Sequence, residues 1–147
     1  MTITELERSK EKFGKSTVIF IFYDESNNLI LLEKRKKPGS YFDGKIFPPG
    51  GAVEDFEMNN ITIALKREIK EETGIDSFQY ERIPSEDIYG ETGYLLIPYL
   101  IRNWQGEIPS KVLDTDSPLV WISVDGYIPE LESVRKITDA FKAFVKK

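Results

Sequence analysis

The chain has 147 residues and a formal net charge of −5; 40% of the residues are hydrophobic, 31% are charged, and there is neither cysteine nor histidine. Its size fits one domain with a sizeable core, and its acidic balance argues against extended nucleic-acid backbone binding. Without cysteine there is no disulfide framework or thiolate metal site, and without histidine the usual parts of zinc, Ser-His-Asp and Cys-His chemistry are missing, so a hydrolase built on this chain must work through carboxylates and metal ions.

The first fourteen residues are polar and charged; they read as a short helix or loose arm and not as a signal peptide. Residues 15–23 read as a strand, 24–28 as a turn cluster and 29–35 as a second strand, so the pair can form a hairpin. A loop over 36–45 holds Pro38, Gly39 and Gly44, and 46–47 is a strand stub before Pro48-Pro49-Gly50-Gly51. Residues 52–59 read as loop with at most a short strand, and Asn59 or Asn60 can cap a helix over 61–73. Strands follow at 77–82, 88–89 and 93–102, then a polar loop over 103–118 and a strand at 119–123. A C-terminal helix is expected over 129–146, opened by Pro129 and Glu130. The longest apolar runs, 18–23 and 94–101, are too short for a membrane helix, so the chain reads as cytoplasmic, with no membrane partner. Strands and helices mixed in this order predict an α/β fold with helices on both faces of a mixed β-sheet. No repeat, low-complexity tract or linker divides it, so 1–147 reads as a single domain with 1–14 as an N-terminal arm.

The run Arg67-Glu68-Ile69-Lys70-Glu71-Glu72-Thr73-Gly74-Ile75 carries the most information. It packs three glutamates into five residues before a glycine suited to stop a helix. Carboxylates there meet the negative end of the helix dipole, and Glu68 and Glu72, four apart, repel one another. At about 100° per residue, Ile61, Leu65, Glu68 and Glu72 fall on one side of the helix and Lys66 and Lys70 on the other. The apolar stripe thus turns acidic in its last turns, away from the solvated lysine face. A sequence that accepts these costs has a cation to bind, and hard divalent cations such as Mg²⁺ take carboxylate oxygens together with water and substrate phosphates. The plainer alternative is a charged helix with an Arg67–Glu71 pair and no metal.

The segment resembles the Nudix box of the MutT-like pyrophosphohydrolases, G-x5-E-x7-R-E-U-x-E-E-x-G-U with U a bulky aliphatic. Arg67 to Ile75 match every specified position of its second half, and Pro49-Gly50-Gly51 fits the approach to it. Glu57 matches when counted from Gly51, yet fifteen residues separate Gly51 from Arg67 where the pattern has thirteen. Counting back from Arg67 puts Asn59 in that place instead. The two extra residues are expected in the loop around 55–60, which leaves the role of Glu57 open and makes it dispensable for the chemistry.

The resemblance implies a Nudix-type α/β/α sandwich and a Mg²⁺ cofactor that Mn²⁺ can replace. It implies Glu68, Glu71, Glu72 and the backbone carbonyl of Gly50 as metal ligands, with Arg67 orienting Glu68. It also implies hydrolysis of a nucleoside diphosphate linked to another moiety, with a small-molecule nucleotide as partner; such domains often form homodimers. Within that class the Trp104-x-Gly106-Glu107 segment and the compact size favour a nucleoside triphosphate cut to monophosphate and pyrophosphate. The runner-up is an ADP-ribose or other nucleotide-sugar pyrophosphatase. The alternative of another class is a non-catalytic nucleotide-binding regulator, though such domains commonly lose the box residues that are intact here.

Outside the box, Lys34-Arg35-Lys36-Lys37 sets four cations on an acidic chain and reads as a phosphate clamp. Arg35, flanked by Lys34, corresponds to a basic position that MutT-like enzymes use near the nucleotide; the alternative is a solvated strand end. Tyr41, Phe42 and above all Phe47 could stack on a base. Glu107, Asp114 and Asp116 precede Trp121, in a region where MutT-like enzymes place another catalytic carboxylate. Asp114 and Asp116 therefore join Arg67, Glu68, Glu71 and Glu72 as catalytic candidates, and the general base is sought among Glu71, Glu107, Asp114 and Asp116. The asparagine that some MutT relatives use for oxidised guanine has no counterpart before the last helix, where the chain reads Pro129-Glu130-Leu131-Glu132.

Overall fold

The computed structural model describes residues 15–146, so the arm expected over 1–14 lies outside the described residues. The first strand, β1 (Ser16–Asp24), is apolar on both faces: Val18, Phe20 and Phe22 enter one core cluster, and Ile19, Ile21 and Tyr23 enter another. Burial on both faces suits a strand covered from both sides, and β1 is central. It runs parallel to β7 (Leu95–Arg102), from Ser16 opposite Leu95 to Phe22 opposite Ile101. Around this pair stand β2 (Leu29–Lys34), β3 (Ile46–Phe47), β4 (Gly50–Ala52), β5 (Gln79–Arg82), β6 (Ile88–Tyr89) and β8 (Leu119–Ser123). The mixed sheet has the order β3-β2-β1-β7-β5, with β4 on β1, β6 on β7 and β8 on β2.

Helix α1 (Ile61–Thr73) covers one face, where Leu65 and Ile69 pack with Val18, Phe20, Phe22 and Leu31. Helix α2 (Glu132–Val145) covers the other, where Ile137 and Phe141 pack with Ile19, Ile21, Ile30 and Leu32. The result is the expected α/β/α sandwich in one domain. Among the described residues no helix is long and apolar enough to cross a membrane.

The sheet is split, and the split positions the site. β1 and β2 pair only at Tyr23–Ile30 and Asp24–Leu29. Farther along, β4 takes the edge of β1, with Ile19 opposite Gly50, and β3 takes the edge of β2, with Glu33 opposite Phe47. Pro48-Pro49 crosses between them. Proline has no N–H to give to a ladder, so β3 ends there, while the Pro49 carbonyl still accepts from Phe20 N at 2.9 Å.

Some boundaries differ from the sequence reading. Helix α1 has the expected span and ends on Gly74 in the left-handed region, φ 77°. Its N-cap residue Asn60 makes no side-chain bond to the helix backbone and instead accepts from the Thr62 hydroxyl at 2.7 Å. The last helix begins at Glu132, not Pro129. Its N-cap Leu131 has no capping side chain, and the cap comes from a distant loop: Ser133 donates its N–H and its hydroxyl to the Glu91 carboxylate at 3.2 and 2.6 Å. Residues 52–59, read as loop, contain a 3₁₀ turn at Asp55–Glu57.

Candidate active site

The stripe of α1 is laid out as its periodicity predicts. Leu65 is fully buried and Glu68 and Glu72 are each 7% exposed, while Lys66 and Lys70 face solvent. The box glycines are required by close approach. A Cβ on Gly51 would overlap the Glu68 carboxylate, and one on Gly50 would run into the Val18 carbonyl.

Arg67 organises the first half of the acidic group. Its Nε and Nη2 donate to the two oxygens of Glu57 at 2.8 and 2.7 Å, its Nη1 to Glu68 Oε1 at 2.8 Å and Glu71 Oε2 at 3.2 Å, and Nη2 also to the Ala52 carbonyl at 3.0 Å. Glu57 is fully buried, and the Glu54 N–H donates to it as well. The Arg67 hydrogen bonds hold the Glu57 carboxyl below the usual carboxylate range. The two extra residues therefore fall after Glu57, between the 3₁₀ turn and α1, and leave its alignment with Arg67 intact. The structure makes Glu57 the anchor of Arg67, a structural role that the expectation of dispensability for the chemistry did not include.

The second half of the group is different. Burial raises the Glu68 carboxyl pKa, with Arg67 opposing it. Glu72 is pushed up to about 9, first by burial and then by the charges of Glu33, Glu68 and Asp114. Its Oε2 is buried without a hydrogen-bond partner. Glu71 is exposed and bonds to the group through Arg67. Asp114 is brought to α1 by its neighbour Leu113, whose N–H donates to the Glu72 carbonyl at 2.9 Å. Asp116 is exposed in a left-handed turn, φ 59°, and Glu107 is exposed too; the structure does not bring either into this group.

One acid escaped the sequence reading. Glu33, only 4% exposed on β2, stands among these carboxylates. Its signal was available: it alternates with Leu31, which faces α1.

On the α2 face lies a cavity of about 480 Å³ lined by Arg35, Lys37, Phe42, Phe47, Gly50 and Glu91, among others. The Arg35 guanidinium sits 4.6 Å over the Phe47 ring, and Phe42 packs edge-on against Phe47 with ring centroids 5.5 Å apart. Arg35 and Phe47, expected as a phosphate clamp and a stacking surface, are thus brought together in one lining. Lys34 is exposed and not part of the lining, and Tyr41 is 70% exposed beneath the Lys45 ammonium. Gly50 connects the two faces, since it lines the cavity and precedes the glycine beneath Glu68.

Among the described residues no three acidic side chains converge into a finished cation cage. The donors still fit a hard divalent ion. All are oxygens, Glu72 has a buried oxygen with no partner, and Gly51 keeps the space beside Glu68 clear of side chain. Such an ion keeps waters and takes substrate phosphates to complete its shell.

The family model described as "NUDIX domain" matches residues 12–141. Among solved structures, a MutT NUDIX hydrolase from Burkholderia pseudomallei aligns with a TM-score of 0.69 at 23% identity, covering 86% of this chain and 96% of that one. A NUDIX hydrolase from Nitrosomonas europaea aligns at 0.67 and 24%, covering 88% and 89%. The E. coli dihydroneopterin triphosphate pyrophosphohydrolase aligns at 0.64 and 17%, covering 86% and 93%. A comparison with curated proteins found no match. At these identities the solved structures attest the fold, and the family rests on the matched model. The chain belongs to the NUDIX family.

Proposed function

We propose that the protein is a Mg²⁺-dependent nucleoside triphosphate pyrophosphohydrolase of the cytoplasm, releasing a nucleoside monophosphate and pyrophosphate. The observation that carries this reading is the split sheet. It sets a carboxylate group on the α1 face beside a cavity on the α2 face lined in part by Phe42, Phe47 and Tyr94, with Gly50 in the lining next to Gly51 beneath Glu68. A polyphosphate tail at the carboxylates and a nucleoside in the cavity would satisfy both.

Glu68, Glu71, Glu72 and the Gly50 carbonyl would hold the metal, which when bound neutralises phosphate charge and activates water. Arg67 fixes Glu68 through its Nη1 bond while Glu57 holds the rest of the guanidinium. Arg35 and Lys37 neutralise phosphate at the cavity, and Phe47 stacks on the base. With no histidine in the chain, a carboxylate takes the proton of the attacking water. Glu71, bonded to Arg67, and Asp114, next to Leu113 whose N–H bonds to α1, are favoured for this role over Glu107 and Asp116. Water attacks the α- or β-phosphorus, the bond from that phosphorus to the oxygen bridging the two breaks, and monophosphate and pyrophosphate leave.

A panel of nucleotides hydrolysed in ¹⁸O-water tests the reading. The expected products are monophosphate and pyrophosphate, with the label in one of them. Orthophosphate and a nucleoside diphosphate as main products would overturn it. Preference for ADP-ribose over every triphosphate would move the substrate to the nucleotide-sugar class.

A further inference from the structure

Glu33 lies outside the box, on a strand whose side chains alternate between the two cores. Ile30 and Leu32 face α2, Leu31 faces α1, and period two carries Glu33 to the α1 face as well. There it meets the last turn of α1, where Glu72 points inward. Both acids are more than nine-tenths buried, and the charges of Glu33 and Glu68 help burial raise the Glu72 carboxyl.

Buried carboxylates persist where something pairs with them, and here the pairing is incomplete. The Glu33 carboxylate accepts from the fully buried Ser117 hydroxyl, whose own oxygen accepts from Lys36 N at 3.0 Å and Thr115 Oγ1 at 3.2 Å. That network fixes one side of Glu33. Arg35 Nε forms an ion pair with Glu33 Oε2 at 3.5 Å, without a hydrogen bond. Glu33 thus has a cation only at ion-pair distance, and Glu72, buried on the same face, keeps an oxygen with no partner.

We propose that Glu33 is a further carboxylate of the divalent-cation site, contributed by β2 opposite Glu72 and holding the ion directly or through one of its waters. Ser117 is then its positioning residue. The proposal rests on the reading of Glu68 and Glu72 as metal ligands, and its test separates the two.

Mn²⁺ binding to the nucleotide-free protein is measured by EPR and calorimetry for wild type, Glu33→Gln and Glu72→Gln, with melting temperatures taken with and without metal. Glutamine keeps the size of Glu33 and can still accept from Ser117. Glu33→Gln should weaken Mn²⁺ at least tenfold, while its metal-free melting temperature holds or rises because a like charge beside Glu72 is gone. Wild-type Mn²⁺ affinity in Glu33→Gln alongside a weakened Glu72→Gln would overturn the role of Glu33 alone. Wild-type affinity in Glu72→Gln would overturn the underlying ligand reading. If Glu33→Gln fails to fold, Mg²⁺ titrated into the wild-type protein decides the question: the Glu33 side-chain carboxyl NMR signal should shift in step with that of Glu72, and an unmoved Glu33 signal would overturn the proposal.

Discussion

The two ends of the acidic group answer the same physical problem in opposite ways. At one end Glu57 is fully buried, yet both of its oxygens are bonded to Arg67 and one also accepts from a backbone N–H. At the other end Glu72 and Glu33 are nearly as buried, and Glu72 keeps an oxygen without a partner. At the first end the protein supplies its own cation and builds a rigid support. At the second it supplies Glu33 only an ion pair with Arg35 and leaves Glu72 Oε2 unbonded. On the proposed reading the first end stabilises the fold and the second gives up stability to bind a cation.

The largest expected effect separates the two ends by activity. Glu68→Gln and Glu72→Gln should each lower kcat/KM by about a thousandfold, on the order of 4 kcal/mol of transition-state stabilisation, with the fold retained. Near-normal turnover in both folded variants would remove the metal-site reading and the contrast with it.

The next effect separates them by stability. Glu57→Ala leaves the Arg67 guanidinium without its main partner, and breaking such a pair costs about 3 kcal/mol. Urea unfolding should show this loss, while Glu72→Gln should leave the metal-free protein as stable as wild type or more so. Turnover in Glu57→Ala should fall only about 10–100-fold, through the loosened orientation of Glu68. A Glu57→Ala protein of wild-type stability would show that Arg67 does not depend on this anchor.

How far the sequence carried the reading follows the same divide. Helix α1, its acidic stripe and its Gly74 stop were legible because periodicity, dipole and cap are local properties of 61–74. The double burial of β1 was legible as an unbroken apolar run. What could not be read depended on distant partners. The start of α2 is set by Glu91, about forty residues upstream by the spacing to Ser133, and no local signal marks it. Glu57 looked displaced because counting assumes a rigid loop, whereas the 3₁₀ turn holds it and absorbs the extra residues afterwards. Lys34 and Arg35 are neighbours in one cation run, but only the half-buried Arg35 reaches the cavity and Phe47.

That last distinction gives a smaller prediction. Arg35→Ala should raise KM about tenfold with little change in kcat, and added salt should blunt the difference, since the lost interaction is with phosphate charge. Lys34→Ala should stay within about twofold of wild type by the same steady-state assay. Equal effects at both positions would mean that the clamp is diffuse charge and not a placed guanidinium.

The smallest expected effect is in the pH dependence of stability, and it reads the second end directly. Glu72, Glu68 and Glu33 all have folded-state pKa values raised above the ordinary 4.5, with Glu72 at about 9, and burial is the first cause in each. In the unfolded chain they ionise near 4.5, so between there and about 9 the folded state holds more protons. Stability therefore falls as pH rises through that window. Glu57 is shifted the other way by Arg67; its contribution is present above its unfolded value and is lost only as pH falls through the lower folded one. The chain has no histidine to titrate in between, which leaves the window to the raised acids and the α-amino group. The melting temperature of metal-free protein should decline steadily from about pH 5.5 to 8.5. Saturating Mg²⁺ should shallow the decline, because the ion takes the place of the proton among the carboxylates, and Glu72→Gln should shallow it without metal. A metal-free profile that is flat across this range would mean that these acids ionise freely in the folded protein, and the two ends of the group would no longer differ in kind.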